Sequence, residues 1–294
     1  MLELGRLITA MVTPIAADGS VDYGNAKRLA LALLDSGSDG LVVAGTTGES
    51  ATLSHAEKLR LFEEVKGAVG DRGAVIGNTG THNTAESVEL TRDAERTGID
   101  GLLAVTPYYN KPTQEGLYQH YKAIHDAVEI PIVIYNIPAR SVVDMSVETM
   151  ARLAELPNIV GVKDATADLT RPAKTRAAMG KGFMQVSGED ATVVPFLAQG
   201  GHGCISVTAN VAPRQCADLH GAWRRGDFDT VARINDRLMP LHEALFVESS
   251  PAPVKYAASL LDLCENRLRL PLVSVRPETE EKVRDAMIHA GLIN

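Results

Sequence analysis

Lys163 follows the apolar run Ile159-Val160-Gly161-Val162, and a lysine so placed can do covalent carbonyl chemistry. The neutral amine is the nucleophile, whereas an unperturbed lysine is almost wholly protonated near neutral pH. Desolvation at the end of a buried strand disfavours the charged form, which is the route by which Schiff-base lysines become reactive. The alternative is a lysine that snorkels from the strand rim to water. Gly45-Thr46-Thr47-Gly48 offers adjacent amide donors and two hydroxyls, a nest suited to a carboxylate, unless it is an ordinary strand-to-helix turn. Tyr135 could shuttle protons during carbinolamine formation, or be a half-buried tyrosine with a satisfied hydroxyl. Arg140 could clamp a carboxylate in bidentate fashion, or make a surface ion pair. Tyr108 and Tyr109 are adjacent in a chain with seven tyrosines; such a pair in a loop predicts a pocket wall or a subunit interface.

These residues are chemically related only if the fold brings them together. Short apolar runs recur along the chain: Leu7 to Val12, Gly40 to Ala44, Ala74 to Asn78, Gly101 to Val105, Ile132 to Tyr135, Ile159 to Val162, Phe183 to Ser187 and Gly203 to Val207. Apolar residues on successive positions mark strands buried on both faces, as in a parallel sheet. Helical patterns alternate with them: Tyr23 to Ser36, Ser54 to Val69, Thr84 to Arg96, Gln114 to Val128, Ser146 to Ala154, Leu169 to Met179, Ala191 to Ala198, and Pro213 through about Gly221. Ser54 with Glu57 forms a capping-box signature. Eight strands alternating with eight helices is the pattern of a (β/α)8 TIM barrel, and no Gly-rich turn follows the first strand as a doubly wound nucleotide-binding sheet would require. Phe228 to Phe246, Ala252 to Leu261 and Pro277 to Ala290 read as further helices. The expected organisation is a catalytic barrel over residues 1–223 and a C-terminal helical extension over 224–294, packed on it without a linker. Barrel chemistry collects at the C-terminal ends of strands, and Thr46, Thr47, Tyr135, Lys163 and Gly188 all fall there.

The chain has 294 residues and a net charge of −8, with 45% hydrophobic and 22% charged residues. That composition is ordinary for a globular protein, and its acidity disfavours nucleic acid and anionic membrane surfaces as partners. No apolar run is long enough to span a bilayer. Met1 to Arg6 does not have the layout of a signal peptide. Three widely spaced cysteines, Cys204, Cys216 and Cys264, suit a reducing cytoplasm with thiols buried as small hydrophobes. Neither Cys-x-x-Cys pairs nor a His/Asp/Glu cluster at strand ends predicts a metal. His202, before the last strand, reads as a turn residue.

Gly-Thr-Thr-Gly-Glu at 45–49, Tyr-Asn-Ile-Pro at 135–138 and Gly-Val-Lys-Asp-Ala-Thr at 161–166 together resemble the dihydrodipicolinate synthase and N-acetylneuraminate lyase superfamily over essentially the whole chain. Pro107-Tyr108-Tyr109-Asn110-Lys111-Pro112, Arg140 and Gly203 to Asn210 are most similar to its dihydrodipicolinate synthase branch. The resemblance implies that Lys163 carries pyruvate as a Schiff base and enamine. It implies that Thr46 and Thr47 hold the pyruvate carboxylate, that Thr47 relays protons, and that Tyr135 is the general acid and base. Tyr109 would complete the relay in a neighbouring subunit. Arg140 would bind the carboxylate of aspartate semialdehyde, with Gly188 and Ile205 completing the substrate-binding set and Val207 lining the pocket. It implies no metal or organic cofactor, and a homotetramer of two tight dimers. An inhibitory lysine site would fall on Ser50, Ala51, His55, Lys58, His82, Glu86 and Tyr108. Here the chain departs from the pattern: Lys58 stands where inhibited members often have His or Glu, and His82 where they commonly have Asn. A cation at 58 repels the ammonium of lysine, so weak or absent feedback inhibition is expected.

An aldolase for a 2-keto-3-deoxy sugar acid or sialic acid would share Lys163, Tyr135 and the threonine loop but would not need Arg140. A metal-dependent barrel enzyme would need the ligand cluster that the sequence lacks, and a catalytically silent barrel would not need the Lys, Tyr and Thr set. Fold alone does not separate these readings; the site residues do.

Overall fold

The computed structural model describes residues 5–294; Met1 to Leu4, on which most of the signal-peptide reading falls, lie outside the described residues. Strands β1 (Leu7–Ala10), β2 (Gly40–Val43), β3 (Ala74–Asn78), β4 (Gly101–Val105), β5 (Ile132–Asn136), β6 (Ile159–Asp164), β7 (Met184–Ser187) and β8 (Gly203–Ser206) pair in chain order, all parallel. β1 pairs with both β2 and β8, so the sheet closes and leaves no edge. This is the predicted barrel.

Two cores follow from the two faces of the strands. Ile8, Val42, Ile76, Leu103, Val133, Val186 and Ile205 pack inside the barrel. The alternate residues, such as Leu7, Leu41, Val75, Leu102 and Ile134, pack outward against the helices. Period-two alternation of this kind explains why the strand sequences are apolar throughout.

The barrel helices are α1 (Tyr23–Asp35), α2 (His55–Val69), α3 (Thr84–Arg96), α4 (Gln114–His125), α5 (Pro138–Ser141), α6 (Val147–Leu153), α7 (Arg171–Met179), α8 (Val193–Ala198) and α9 (Pro213–Arg225). The capping box before α2 forms as its spacing predicts: Ser54 accepts from the Glu57 amide and Glu57 accepts from the Ser54 amide. The short α5 was not expected, because a single turn carries no periodicity. α9 runs past the expected limit near Gly221 to Arg225, where Gly226 caps it in the left-handed region. The boundary expected between residues 223 and 224 therefore lies inside a helix.

Three further helices, α10 (Phe228–Ala244), α11 (Ala252–Ser259) and α12 (Pro277–His289), form the C-terminal layer. α10 packs on α9 and α12, and α11 on α12 and on a 3₁₀ turn, Thr208–Asn210, just after β8. Apolar residues of this layer, among them Leu238, Leu241, Val254 and Val283, join the same core as the outer face of the barrel. No helix among the described residues is long and apolar enough to cross a membrane.

Candidate active site

The alternation of β5 and β6 aims Tyr135 and Lys163 into the barrel. They face each other in register, and Lys163 Nζ lies 4.3 Å from the centre of the Tyr135 ring. Both side chains are buried, each about 5% exposed, which removes the snorkelling alternative for Lys163. A β-bulge creates this pairing. Ile132 pairs with Ile159 but Val133 pairs with Gly161, so Val160 is an extra residue on β6. Without it Tyr135 would face Val162. Bulges commonly re-aim side chains beside active sites.

The outward neighbours of this pair fix the strand ends. Asn136 donates to Asp144 and accepts from the Met145 amide. Arg171 donates twice to Asp144, at 2.9 and 3.0 Å, and also to the Met145 carbonyl. Asp164 accepts from the amide and hydroxyl of Thr166; burial pushes its carboxyl up from the ordinary range, while Thr166 and Arg171 oppose the shift.

The Gly45–Gly48 loop follows β2. Thr47 is buried and Thr46 half-buried. The loop is closed by the Glu49 amide on the Thr46 carbonyl and the Ser50 amide on the Gly45 carbonyl. Thr13 reaches across from the end of β1 to donate to the Gly48 carbonyl at 2.7 Å. Gly188, at the end of β7, lies against the lysine stem: a Cβ there would come 3.1 Å from Lys163 Cε and 2.7 Å from Ala165 Cβ. Ile205 is fully buried inside the barrel and Val207 buried just beyond β8.

Arg140, on α5, is exposed, and its guanidinium donates to the Ser250 carbonyl at 3.2 Å. Tyr109 is not brought into the site of its own chain. Its backbone is in the left-handed region (φ 71°), and its side chain is 89% exposed. The ring of its neighbour Tyr108 lies 5.1 Å from that of His82, tilted against it, and burial raises the Tyr108 pKa with Glu86 adding to the shift. Lys58 is buried, which lowers its pKa against the opposing effect of Glu86. Ser50 accepts from Asn78 at 3.0 Å, His55 pairs with Asp93 at 2.9 Å, and Ala51 is exposed. The positions expected for an inhibitory site thus include a cluster of Lys58, His82, Glu86 and Tyr108, with His55 engaged elsewhere.

Two acidic residues beside Gly188 were not assigned roles from sequence. Burial raises the pKa of Glu189, with Asp190 adding to the shift and Lys163 and Arg140 opposing it, so this carboxyl lies among the site cations. Asp190 is buried and accepts from Ser206 Oγ and the Val207 and Thr208 amides, fixing the end of β8. Their position after Gly188 at the end of β7 was the available signal. His202 behaves as the predicted turn residue, its Nδ1 accepting from the Gln185 amide. It borders a cavity of about 840 Å³ at the opposite end of the barrel, which holds none of the residues expected to do chemistry. The three cysteines are buried, and burial pushes their thiols up, that of Cys264 to about 11.

A buried lysine paired with a tyrosine inside a barrel, with a donor-rich loop at the same end of the strands, defines a class of enzyme: the lysine-dependent barrel aldolases. The sequence model of the Dihydrodipicolinate synthetase family matches residues 3–290, and this chain belongs to that family. A 4-hydroxy-tetrahydrodipicolinate synthase of Rhodospirillum centenum is 58% identical over 286 residues, covering 97% of this chain and 98% of that protein. Two solved structures are also similar. The synthase of Cyanidioschyzon merolae with lysine bound has a TM-score of 0.97 at 42% identity, covering 100% of both chains. The chloride-inhibited synthase of Acinetobacter baumannii complexed with pyruvate has a TM-score of 0.96 at 42% identity, covering 99% of this chain and 100% of that one.

Proposed function

We propose that this chain catalyses the aldol condensation of pyruvate with L-aspartate 4-semialdehyde to 4-hydroxy-tetrahydrodipicolinate, the first committed step of diaminopimelate and lysine biosynthesis. The observation that carries the reading is the buried Lys163 held in register with Tyr135. The Lys163 amine adds to the pyruvate ketone and water leaves, giving an iminium. Loss of a C3 proton gives the enamine, whose carbon attacks the aldehyde. The amino group of the condensed semialdehyde then displaces Lys163, closing the ring and freeing the enzyme. The covalent lysine makes a metal or organic cofactor unnecessary.

Thr46 and Thr47 hold the pyruvate carboxylate, and Thr47 and Tyr135 move protons to and from the reacting oxygen. Gly188 leaves room for the lysine stem, and Ile205 lines the pocket floor. Arg140, at the rim, receives the semialdehyde carboxylate. The working assembly is a homotetramer of two tight dimers in the cytoplasm. The exposed, left-handed Tyr109 supports it, since a large aromatic side chain held away from its own chain is suited to a neighbour's site.

The test is a condensation assay with both substrates on the wild type and Arg140→Ala. The reading predicts turnover by the wild type and a semialdehyde KM raised by about tenfold or more in the variant, with pyruvate KM little changed. Unchanged activity of Arg140→Ala toward the semialdehyde would favour a sugar-acid aldolase instead.

A further inference from the structure

Glu49 closes the threonine loop in an unusual way. It is not a glycine, yet its backbone is left-handed (φ 60°, ψ 37°), a conformation that costs most residues about 1 kcal/mol. Its side chain points into the protein and, like that of Lys255, is entirely screened from solvent. Lys255 Nζ donates to Glu49 Oε1 and to the Arg267 carbonyl, and the Arg269 amide donates to Glu49 Oε2 at 2.9 Å. The Arg269 side chain adds a bond to the Thr52 carbonyl and a bidentate pair with Glu57. Lys255 lies on α11, outside the barrel sequence, and is remote from Glu49 in the chain.

A fully buried ion pair contributes little net stability over a well-packed apolar pair, but it tolerates little change in geometry because each charge depends on the other. Both Glu49 oxygens have partners, so the residue immediately after Gly48 has one orientation available. Thr46 and Thr47 are tied to that residue through the Glu49 amide on the Thr46 carbonyl. We propose that Lys255 is a positioning residue for substrate binding: through Glu49 it sets the loop on which Thr46 and Thr47 present their donors, so that the C-terminal helical layer controls pyruvate affinity. It acts through Glu49 and touches no substrate. The inference rests on the pyruvate reading above.

The experiment compares the wild type with the double variant Glu49→Gln/Lys255→Met, which removes both buried charges together and so avoids stranding either. Borohydride-trapped pyruvate adduct is titrated against pyruvate concentration, and both Michaelis constants are measured on protein whose melting is cooperative. The expected result is a half-saturating pyruvate concentration raised by about tenfold, with the semialdehyde KM within about twofold of wild type. A merely structural pair would lower the melting temperature and leave that split absent; a folded variant with wild-type pyruvate saturation overturns the inference. A wild type that forms no adduct overturns the pyruvate reading and the inference with it, whereas a wild-type adduct with an unchanged variant overturns the inference alone. Amide exchange on the wild-type protein decides the matter even if the variant does not fold. The Glu49 and Ser50 amides must open together with α11, and a loop that exchanges orders of magnitude faster than α11 overturns the proposal.

Discussion

At the scale of single residues, Lys58 carries the expectation about feedback inhibition. It is buried, which lowers its pKa, and the nearby Glu86 carboxylate opposes that shift. We propose that a cation at position 58 repels the ammonium of an incoming lysine. We expect inhibition by lysine to be weak or absent in an initial-rate assay, and an inhibition constant in the low micromolar range would contradict this. The strand-end positions of Lys163, Tyr135 and Thr47 were legible in sequence, and the motifs around them, rather than position alone, singled them out as candidates. Lys255 was not legible. It lies in a helical stretch where lysine is ordinary, and only the folded chain puts it under Glu49. Glu189 was visible as a strand-end residue, but its place among Lys163 and Arg140 depends on how β7 closes against β6.

At the scale of elements, the bulge in β6 decides which residue meets Tyr135. Gly161, just after the extra Val160, allows β7 to approach: a Cβ there would lie 2.5 Å from the Met184 carbonyl oxygen and 2.7 Å from Met184 Cβ. Backbone cannot move aside as a flexible side chain can. We therefore expect Gly161→Ala to destabilise the protein by about 1–3 kcal/mol and to reduce turnover more than a neutral surface change of equal size would. Chemical denaturation and kcat of the same preparation check this; wild-type values for both would show that the strand spacing is not restrictive. Eight strands and the long helices could be read from apolar runs and periodicity, because burial on both faces leaves a signal in every strand. The bulge left none, since Val160 looks like any other strand residue. Nor did α5, whose four residues, Pro138–Ser141, are too few to show a period but suffice to hold Arg140 beside Ser250.

At the scale of the whole molecule, the folded state excludes protons from buried histidines. Burial pulls His120 and His220 down from an ordinary 6.5 to about 4, and lowers His242 as well. Unfolding exposes these imidazoles, which then bind protons below about pH 6.5. Between about pH 6.5 and 4 the unfolded chain holds more protons, so stability rises with pH across this window and is lost as pH falls through it. Each of the two histidines with printed shifts contributes roughly 1.4 kcal/mol per pH unit at most. The unfolding midpoint in denaturant, followed from pH 7 to 4, should decline, and His220→Asn should make the decline shallower. An equal slope in the variant would contradict the assignment. The C-terminal layer shares the outer core with the barrel and contacts the mouth through Lys255, Ser250 and Arg269. The sequence showed these helices and the lack of a linker, but not these contacts, which join residues far apart in the chain.

The proposed chemistry depends on a covalent bond between Lys163 and pyruvate. Incubation with pyruvate and borohydride, followed by intact mass and peptide mapping, tests it directly, with Lys163→Ala as the control. A reduced pyruvate adduct on Lys163 is expected in the wild type and none in the variant. A folded wild type that gains no mass in excess pyruvate, or an adduct mapped to another lysine, would contradict it.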